Sequence, residues 1–389
     1  MELVDAEVIT TKPGRNYVLV RLETDVGLVG WGDATLNGRE KAVETALRDH
    51  VLPELLGKDP RRIEDVWQSV FRHTYWRGGP VLNTALSGVD VALWDLKGKA
   101  AEMPVYDLLG GRTREYASVY EHCGGPDAET IVANCEAALD HGIEHLRVNP
   151  HGESEEYLDL DAVVNVVRRV REELGREPNL LLDVHGRATP VEAARLARRL
   201  EDVGLFFLED PVRPENPDAL ETVRGSGTPL AVGELATDPW EQLPLVEREL
   251  IDFVRADVVH VGGITAADKL AAVAELHHVR TAFHGPSDIS PIGLAATVHL
   301  DLSLANFGVQ ELPEYARPSY DREELPLWNP EVHDVFSGGA TLVDGTGGLD
   351  VPDEPGLGVT VDVERAREFE YESQPLPSPR NPDGSVADW

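Results

Sequence analysis

Lysine, cysteine and long apolar runs are all scarce in this 389-residue chain. No stretch approaches the ~20 apolar residues of a membrane helix, and the chain does not open with a basic segment followed by an apolar run. The two cysteines, Cys123 and Cys135, have no partners at metal-ligand spacing. The composition therefore predicts a soluble, cytoplasmic protein with neither a disulfide framework nor a zinc cluster.

The charge balance is strongly acidic. Asp and Glu number 70 against 35 Lys and Arg, which gives a formal net charge of −35, and only six of the basic residues are lysines. Such a surface repels phosphate backbones and anionic lipids, so we expect neither nucleic acid nor a membrane as partner. Concentrated salt screens self-repulsion to within a few Å. The composition thus favours a high-salt cytoplasm, and an acidic but ordinary mesophilic protein is the alternative.

A repeat of strands and helices begins near residue 113. Short β-branched runs such as "IEHLRVN", "NLLLDV" and "LFFLED" alternate with helical patterns such as "PVEAARLARRLEDVG". Eight such units predict an α/β fold of the (β/α)8 barrel type. Polar residues end the successive strands at intervals of 36, 26, 25, 23, 27 and 27 residues, about one unit each, and we expect them to converge on one mouth: Arg147, Asp183, Glu209, Glu234, Asp257, His284 and Glu311.

The two ends of the chain lie outside this repeat. In the first part, "VLVRLETDVGLVGWGDAT" predicts a hairpin and "VDVALWDLKGKAAEMPVYDLLGG" predicts a helix ended by glycine. The last part is rich in Pro, Gly and Asp. We therefore expect an N-terminal domain over 1–112, the barrel over 113–320, and a C-terminal segment over 321–389 that packs back on the first domain.

Three of the acids predict a metal site. Asp183, Glu209 and Glu234 end three successive strands, and a low-dielectric barrel mouth cannot keep three unpaired carboxylates ionised. Mg²⁺ takes octahedral oxygen ligands and leaves positions open for water or substrate, which suits this set. The alternative is that the acids cap helices or form salt bridges on the loops.

Several segments resemble the enolase superfamily: "DVHGR", "LEDPV", "AVGE" and "GGIT". Longer ones, "YWRGGPVLNTALSGVDVALWDLKGK", "HGPSDISPIG" and "EPGLGV", resemble the mannonate dehydratase family, which includes the starvation-sensing proteins. The resemblance implies an α+β capping domain over a (β/α)7β barrel, with one Mg²⁺ on the three acids. It also implies removal of the proton α to a carboxylate through an enediolate, followed by loss of water from an aldonic acid such as D-mannonate or D-gluconate to give a 2-keto-3-deoxy acid.

The resemblance also implies the remaining site residues. The family pattern matches this chain at two catalytic positions, Arg147 and His185, and at His284, and it implies substrate contacts at Asn37, His122, Arg255, Asp288 and Glu311. Arg187 and Arg255 are candidates to hold the substrate carboxylate or hydroxyls, and a plain salt bridge is the alternative for each. The "YWRGGP" segment predicts a loop that closes over substrate, and Trp389 is a further candidate.

The sequence leaves two alternatives for the residue that removes the α-proton. No lysine occurs between Lys99 and Lys269, which excludes a lysine base on the second barrel strand. The family pairs its strand-two arginine with a tyrosine a dozen residues later, but here that position is Asp159, and Tyr157 is the nearest tyrosine. The alternative base is His284, because Asp257 falls where relatives of mandelate racemase carry an Asp that orients a histidine on the next strand. A hydrogen bond from His284 to the substrate is the other reading of this residue.

His185 is the candidate general acid. It lies two residues beyond Asp183, and strand alternation predicts that Asp183, His185 and Arg187 share one face. From there His185 would protonate the departing 3-hydroxyl.

Two other functions stay open. One is racemisation or epimerisation of an α-hydroxy acid, with His185 and His284 as two bases on opposite faces of the substrate. The other is a catalytically silent relative that binds sugar acids, suggested by the altered loop after Arg147. In each case we expect a homo-oligomer, since closed symmetric assemblies are the general rule.

Overall fold

An antiparallel sheet opens the chain. In this computed structural model, which describes residues 1–73, 75–150, 159–317, 330–374, 376, 378, 380–381 and 383–387, the sheet comprises β1 (Leu3–Thr11), β2 (Tyr17–Thr24) and β3 (Val29–Asp33). The strands β2 and β3 are the hairpin predicted from the alternating pattern. Four helices follow: α1 (Glu40–Ala46), α2 (Ile63–His73), α3 (Pro80–Ala101) and α4 (Val105–Leu108). We call this sheet with its helices the cap.

The long helix α3 packs directly on the cap sheet. A Cβ on Gly32 of β3 would lie 1.8 Å from the carbonyl oxygen of Gly88, so glycine is what allows this close approach. The helix ends at Glu102, which adopts a left-handed conformation with φ of 55°. The predicted glycine stop was wrong, because the glycines of "LLGG" come only after a second helix, α4.

Eight parallel strands form the barrel. They are β4 (Ala117–Gly124), β5 (His145–Asn149), β6 (Asn179–Asp183), β7 (Phe207–Glu209), β8 (Leu230–Val232), β9 (Phe253–Val254), β10 (Arg280–Thr281) and β11 (Gln310–Glu311). Pairing follows chain order from β4 to β10, β11 pairs with β4, and a bridge from Thr281 to Phe307 closes the ring. The predicted fold class, a (β/α)7β barrel with an α+β cap, is confirmed.

In the described part of the chain, seven helices surround the barrel: α5 (Ala128–Asp140), α6 (Leu160–Leu174), α7 (Pro190–Arg199), α8 (Leu220–Arg224), α9 (Pro239–Glu247), α10 (Gly263–Leu276) and α11 (Pro291–Ser303). Several begin at a side chain that accepts a backbone N–H, such as Asp127 for α5 and Thr189, with Glu192, for α7. Among the described helices, none combines the length and the hydropathy that crossing a bilayer requires.

The C-terminal segment contacts both other parts. Its elements are α12 (Val332–Val335), β12 (Phe336–Gly338), β13 (Thr341–Val343), β14 (Gly348–Asp350), β15 (Val359–Val361) and α13 (Val363–Glu368). The β13–β14 hairpin pairs with the start of β4, whereas Thr11 of β1 donates its hydroxyl to the Ala366 carbonyl at 2.7 Å. These contacts agree with a segment that packs back on the cap, and the three domain boundaries stay predictions.

Buried acids of the cap hold the barrel helices. Asp33 Oδ2 accepts the N–H of Ser290 at 2.6 Å, and Asp90 Oδ2 accepts the N–H of Thr265 at 2.9 Å. These amides belong to the first turns of α11 and α10, whose N–H groups have no partners within the helix. The cap therefore fixes the start of two helices that follow barrel strands.

Candidate metal centre and active site

Three carboxylates meet at the C-terminal mouth of the barrel. Asp183 and Glu209 are the last residues of β6 and β7 and lie opposite each other in register, and Glu234 lies two residues beyond β8. One oxygen from each lies within 4.8 Å of the other two. Because neighbouring parallel strands end at the same edge, the sequence spacing alone brings these acids together.

The chemistry of this set fits Mg²⁺. All three donors are carboxylate oxygens, and Oε2 of Glu209 is buried without a hydrogen-bond partner within the described part of the chain. Burial raises the pKa of Glu209 to about 7, although Arg255 opposes this rise. A hard divalent cation would satisfy the unpartnered oxygen and offset the collected negative charge.

Two arginines already neutralise part of that charge. Arg147 of β5 donates from Nη1 to Asp183 Oδ2 at 3.0 Å. Arg255, which follows β9, is fully buried; its Nη2 lies 2.5 Å from Glu209 Oε1 and 3.1 Å from Glu311 Oε2. The structure thus places Arg147, Arg255 and Glu311 in the site, with Arg255 beneath the mouth between two acids.

His185 reaches the metal site by a turn. The strand β6 ends at Asp183, and both His185 (φ 51°) and Gly186 (φ 65°) are left-handed. The prediction that Asp183, His185 and Arg187 share one strand face was therefore wrong, because side chains alternate only in an extended backbone. The imidazole Nε2 still lies 2.7 Å from Asp183 Oδ2, and the charge of Asp183 raises the pKa of His185.

Asp257 and His284 form the expected pair. His284 Nδ1 lies 2.8 Å from Asp257 Oδ2, and His284 Nε2 lies 3.7 Å from Glu234 Oε2. Burial lowers the pKa of His284, but Asp257, Glu311 and Glu234 together raise it to about 10. The two histidines therefore contact different carboxylates of the metal site, His185 at Asp183 and His284 at Glu234.

The remaining predicted residues lie in two places. His122 Nε2 is 2.7 Å from Glu311 Oε1 inside the barrel, and burial, with the charge of Arg147, lowers the pKa of His122 to about 4. Asn37 of the cap donates to Asp288 Oδ2 at 3.3 Å. Tyr157 and Trp389 lie outside the described residues.

The "YWRGGP" segment lies beside the loop that follows Glu234, since a Cβ on Gly78 would be 3.8 Å from Asp238 Oδ2. Tyr75 and Trp76 are 88% and 83% exposed. A little further on, Asn83 donates to the carbonyl of Thr237 at 2.5 Å, in the loop that also carries Glu234. Its predicted closure over substrate stays a prediction.

Sequence reasoning missed three residues at this end of the barrel. Arg15 of the cap forms an ion pair with Asp288, and Asp210, directly after Glu209, is buried with a positive φ. His260 lies beside Asp257 and contacts the cap. Only His260 carried a signal, since it follows Asp257 by three residues at the start of a helical turn.

Two family models match the chain. The model described as "Enolase C-terminal domain-like" matches residues 130–366, and the N-terminal domain of mandelate racemase and muconate lactonizing enzyme matches residues 6–110. The chain belongs to the enolase superfamily. The superfamily membership predicted from the short motifs is confirmed.

Relatives that are similar over the whole chain place it more closely within the superfamily. A D-mannonate dehydratase of Caulobacter vibrioides is 42% identical over 417 aligned residues, and a D-galactonate dehydratase family member of Halomonas elongata is 41% identical over 420, each alignment covering 100% of both chains. A solved enolase of Pantoea ananatis with bound D-gluconate and Mg has a TM-score of 0.90 at 38% identity and covers 100% of this chain and 99% of that one. The predicted place among the mannonate dehydratase relatives is therefore confirmed.

Proposed function

We propose that this protein is a Mg²⁺-dependent dehydratase that converts an aldonic acid into a 2-keto-3-deoxy acid. The observation that carries the proposal is the set of three converging carboxylates with His185 on one member and His284 on another. Similarity over the whole chain to proteins named D-mannonate dehydratase supports it, and D-mannonate and D-gluconate are the first substrates to test.

Asp183, Glu209 and Glu234 would hold the ion. Bound Mg²⁺ would stabilise the negative charge that develops on the substrate carboxyl group when the neighbouring proton leaves. Arg255 keeps Glu209 in place from below, so that the unpartnered Oε2 of Glu209 is available. Asn37, His122, Asp288 and Glu311 offer hydrogen bonds for substrate hydroxyls around the mouth.

The two histidines divide the proton transfers. His185 lies against Asp183 and would give a proton to the departing 3-hydroxyl. His284, oriented by Asp257, would take the proton from C2 in its neutral form, which requires that a cation on Glu234 offsets part of the negative charge that raises the pKa of His284. Arg147 with Tyr157 is the other candidate for this second role, and Arg147 itself is engaged with Asp183 at 3.0 Å.

Assays of the parent protein and of its His185→Asn variant test the proposal. Purified protein in high salt with Mg²⁺ is incubated with C5 and C6 aldonic acids, and 2-keto-3-deoxy products are measured. We expect one or more acids to be dehydrated, and both His185→Asn and a chelator to abolish the product. His278→Asn is the matched control, because His278 is exposed on the surface and has a similar positive φ of 58°. No product from any acid would contradict the dehydratase for that panel.

Racemisation is the second candidate, favoured by the two histidines on different carboxylates. A racemase would exchange the α-proton of an α-hydroxy acid with D₂O without losing water. Binding without exchange or dehydration would instead indicate a silent sugar-acid-binding relative. The homo-oligomer stays a prediction, and light scattering of the same preparation measures it.

A further inference from the structure

We propose that His260 is a positioning residue of this site, which links the cap to Asp257 and thereby fixes the orientation of His284. The catalytic consequence rests on the proposed function, whereas the structural link does not. His260 touches none of the three metal-binding candidates in the described structure.

The link consists of three contacts in a row. His260 Nε2 lies 3.0 Å from the carbonyl oxygen of Thr35 in the cap, and His260 Nδ1 lies 3.5 Å from Asp257 Oδ2. The same Oδ2 is 2.8 Å from His284 Nδ1. Asp257 is completely buried and His260 is largely buried, so these contacts are shielded from water.

Hydrogen-bond chemistry determines which nitrogen of His260 carries a hydrogen and how the Asp257 carboxylate is oriented. A carbonyl oxygen only accepts, so His260 must carry its hydrogen on Nε2 to bond with Thr35. Asp257 Oδ1 already accepts the N–H of Val259 at 2.7 Å, which fixes the plane of the carboxylate. At 3.5 Å, and with its hydrogen on Nε2, His260 makes no hydrogen bond to Oδ2 and acts by packing. Oδ2 lies between the rings of His260 and His284, and the ring of His260 occupies the space into which Oδ2 would move away from His284.

The cap end of the row is itself rigid. The Thr35 hydroxyl donates to Asp33 Oδ1 at 2.6 Å and accepts the N–H of Val18 at 3.1 Å. Asp33 also binds the N–H of Ser290 at 2.6 Å. A fixed carbonyl at Thr35 thus determines where the His260 ring lies.

Other cap residues hold the segment that begins at His284. Tyr17 donates its hydroxyl to the Ser287 carbonyl at 3.3 Å, and Arg15 and Asn37 both bind Asp288. The cap therefore contacts this segment at Ser287, Asp288 and Ser290. Through His260 and Asp257, the cap also restricts the position of His284. Displacement of the cap would disturb His284 through Asp257.

Kinetics of His260→Gln and His260→Ala test the catalytic part. Glutamine can still donate to Thr35 but places no ring beside Asp257, so it serves where the alanine variant does not fold. We expect kcat to fall by about 10- to 100-fold with little change in KM, the usual effect of removing a group that orients a catalytic residue. Unchanged kcat in a folded His260→Gln protein would overturn the proposal.

A double-mutant cycle shows whether His260 acts through Asp257. We expect His260→Gln combined with Asp257→Asn to have the kcat of Asp257→Asn alone, because the second change removes the group through which the first one acts. Losses that multiply would show that His260 works by another route and would contradict the inference.

A spectroscopic readout separates this inference from the proposed function. In ¹⁵N-histidine-labelled protein, the ring signals of His284, assigned with His284→Asn, are expected to shift in His260→Gln. Signals of His145, which opens β5 at the opposite end of the barrel, should stay in place. Unmoved His284 signals would overturn the link even if the enzyme dehydrates a sugar acid, and shifted signals would support it even if no acid is turned over.

Discussion

The side chains of Arg255 and Glu209 form an ion pair with no exposed surface on either partner. Arg255 donates from Nε at 2.6 Å and has Nη2 at 2.5 Å from the same oxygen, Glu209 Oε1. Arg255 Nη1 donates to the Ala282 carbonyl at 3.0 Å. One oxygen of Glu209 thus binds the guanidinium, and the other, Oε2, is buried without a hydrogen-bond partner among the described residues.

Replacing Arg255 by methionine should strongly destabilise the protein. The change leaves Glu209 and Glu311 as buried acids without their cation, and breaking such a pair costs about 3–5 kcal/mol of the free energy of unfolding. Urea unfolding measures this loss. The control is Arg198→Met, at an exposed position on α7, which should change stability by less than about 0.5 kcal/mol. Equal effects of the two changes would contradict a structural role for the buried pair.

The sequence predicted most of this arrangement because strand spacing determines it. Asp183, Glu209 and Glu234 end parallel strands, so their convergence follows from the repeat alone. The sequence analysis placed His185 beside Asp183 for the wrong reason, because His185 does not continue the strand. Its backbone is left-handed, in a turn where the N–H of Gly186 donates to the Asp210 carbonyl. The contacts of Arg15 with Asp288 and of His260 with Thr35 depend on how the cap sits on the barrel, which no local pattern encodes.

Mg²⁺ should stabilise the folded protein. A ligand that binds only the native state raises the free energy of unfolding by about 2.7 kcal/mol at a hundredfold excess over its Kd. Thermal unfolding with and without Mg²⁺ measures this, and Glu209→Gln should abolish the shift. Glu136→Gln removes an equal charge from the exposed side of α5 and should keep it. A shift that persists in Glu209→Gln would place the ion elsewhere.

Asp90 should make stability fall as the pH rises. Burial raises the pKa of Asp90 to about 7, although Thr265 opposes this. In the unfolded chain the group ionises near pH ~3.9, so between that pH and about 7 the folded state holds the extra proton and loses stability with increasing pH.

Asp90→Asn removes this titration, because asparagine stays neutral at every pH. The stability of the variant relative to the parent protein should therefore rise from pH 5 to pH 8, by at most about 3 kcal/mol. The comparison is made at each pH, so the other acids cancel. A difference that is constant with pH, measured by urea unfolding, would contradict the raised pKa.

Potassium chloride should stabilise the protein well beyond the effect seen for a neutral chain. The 70 acidic residues face only 35 basic ones, so the folded surface repels itself. At about 1 M salt the Debye length falls to about 3 Å, which screens most of this repulsion between exposed charges. The unfolding midpoint should therefore rise steeply between 0.1 and about 1 M KCl and then level off, because screening is nearly complete there.

Sucrose, which acts by exclusion from the surface and does not screen charge, should give a smooth rise without this plateau. A midpoint that is insensitive to KCl would contradict the high-salt interpretation of the composition and favour an ordinary acidic protein.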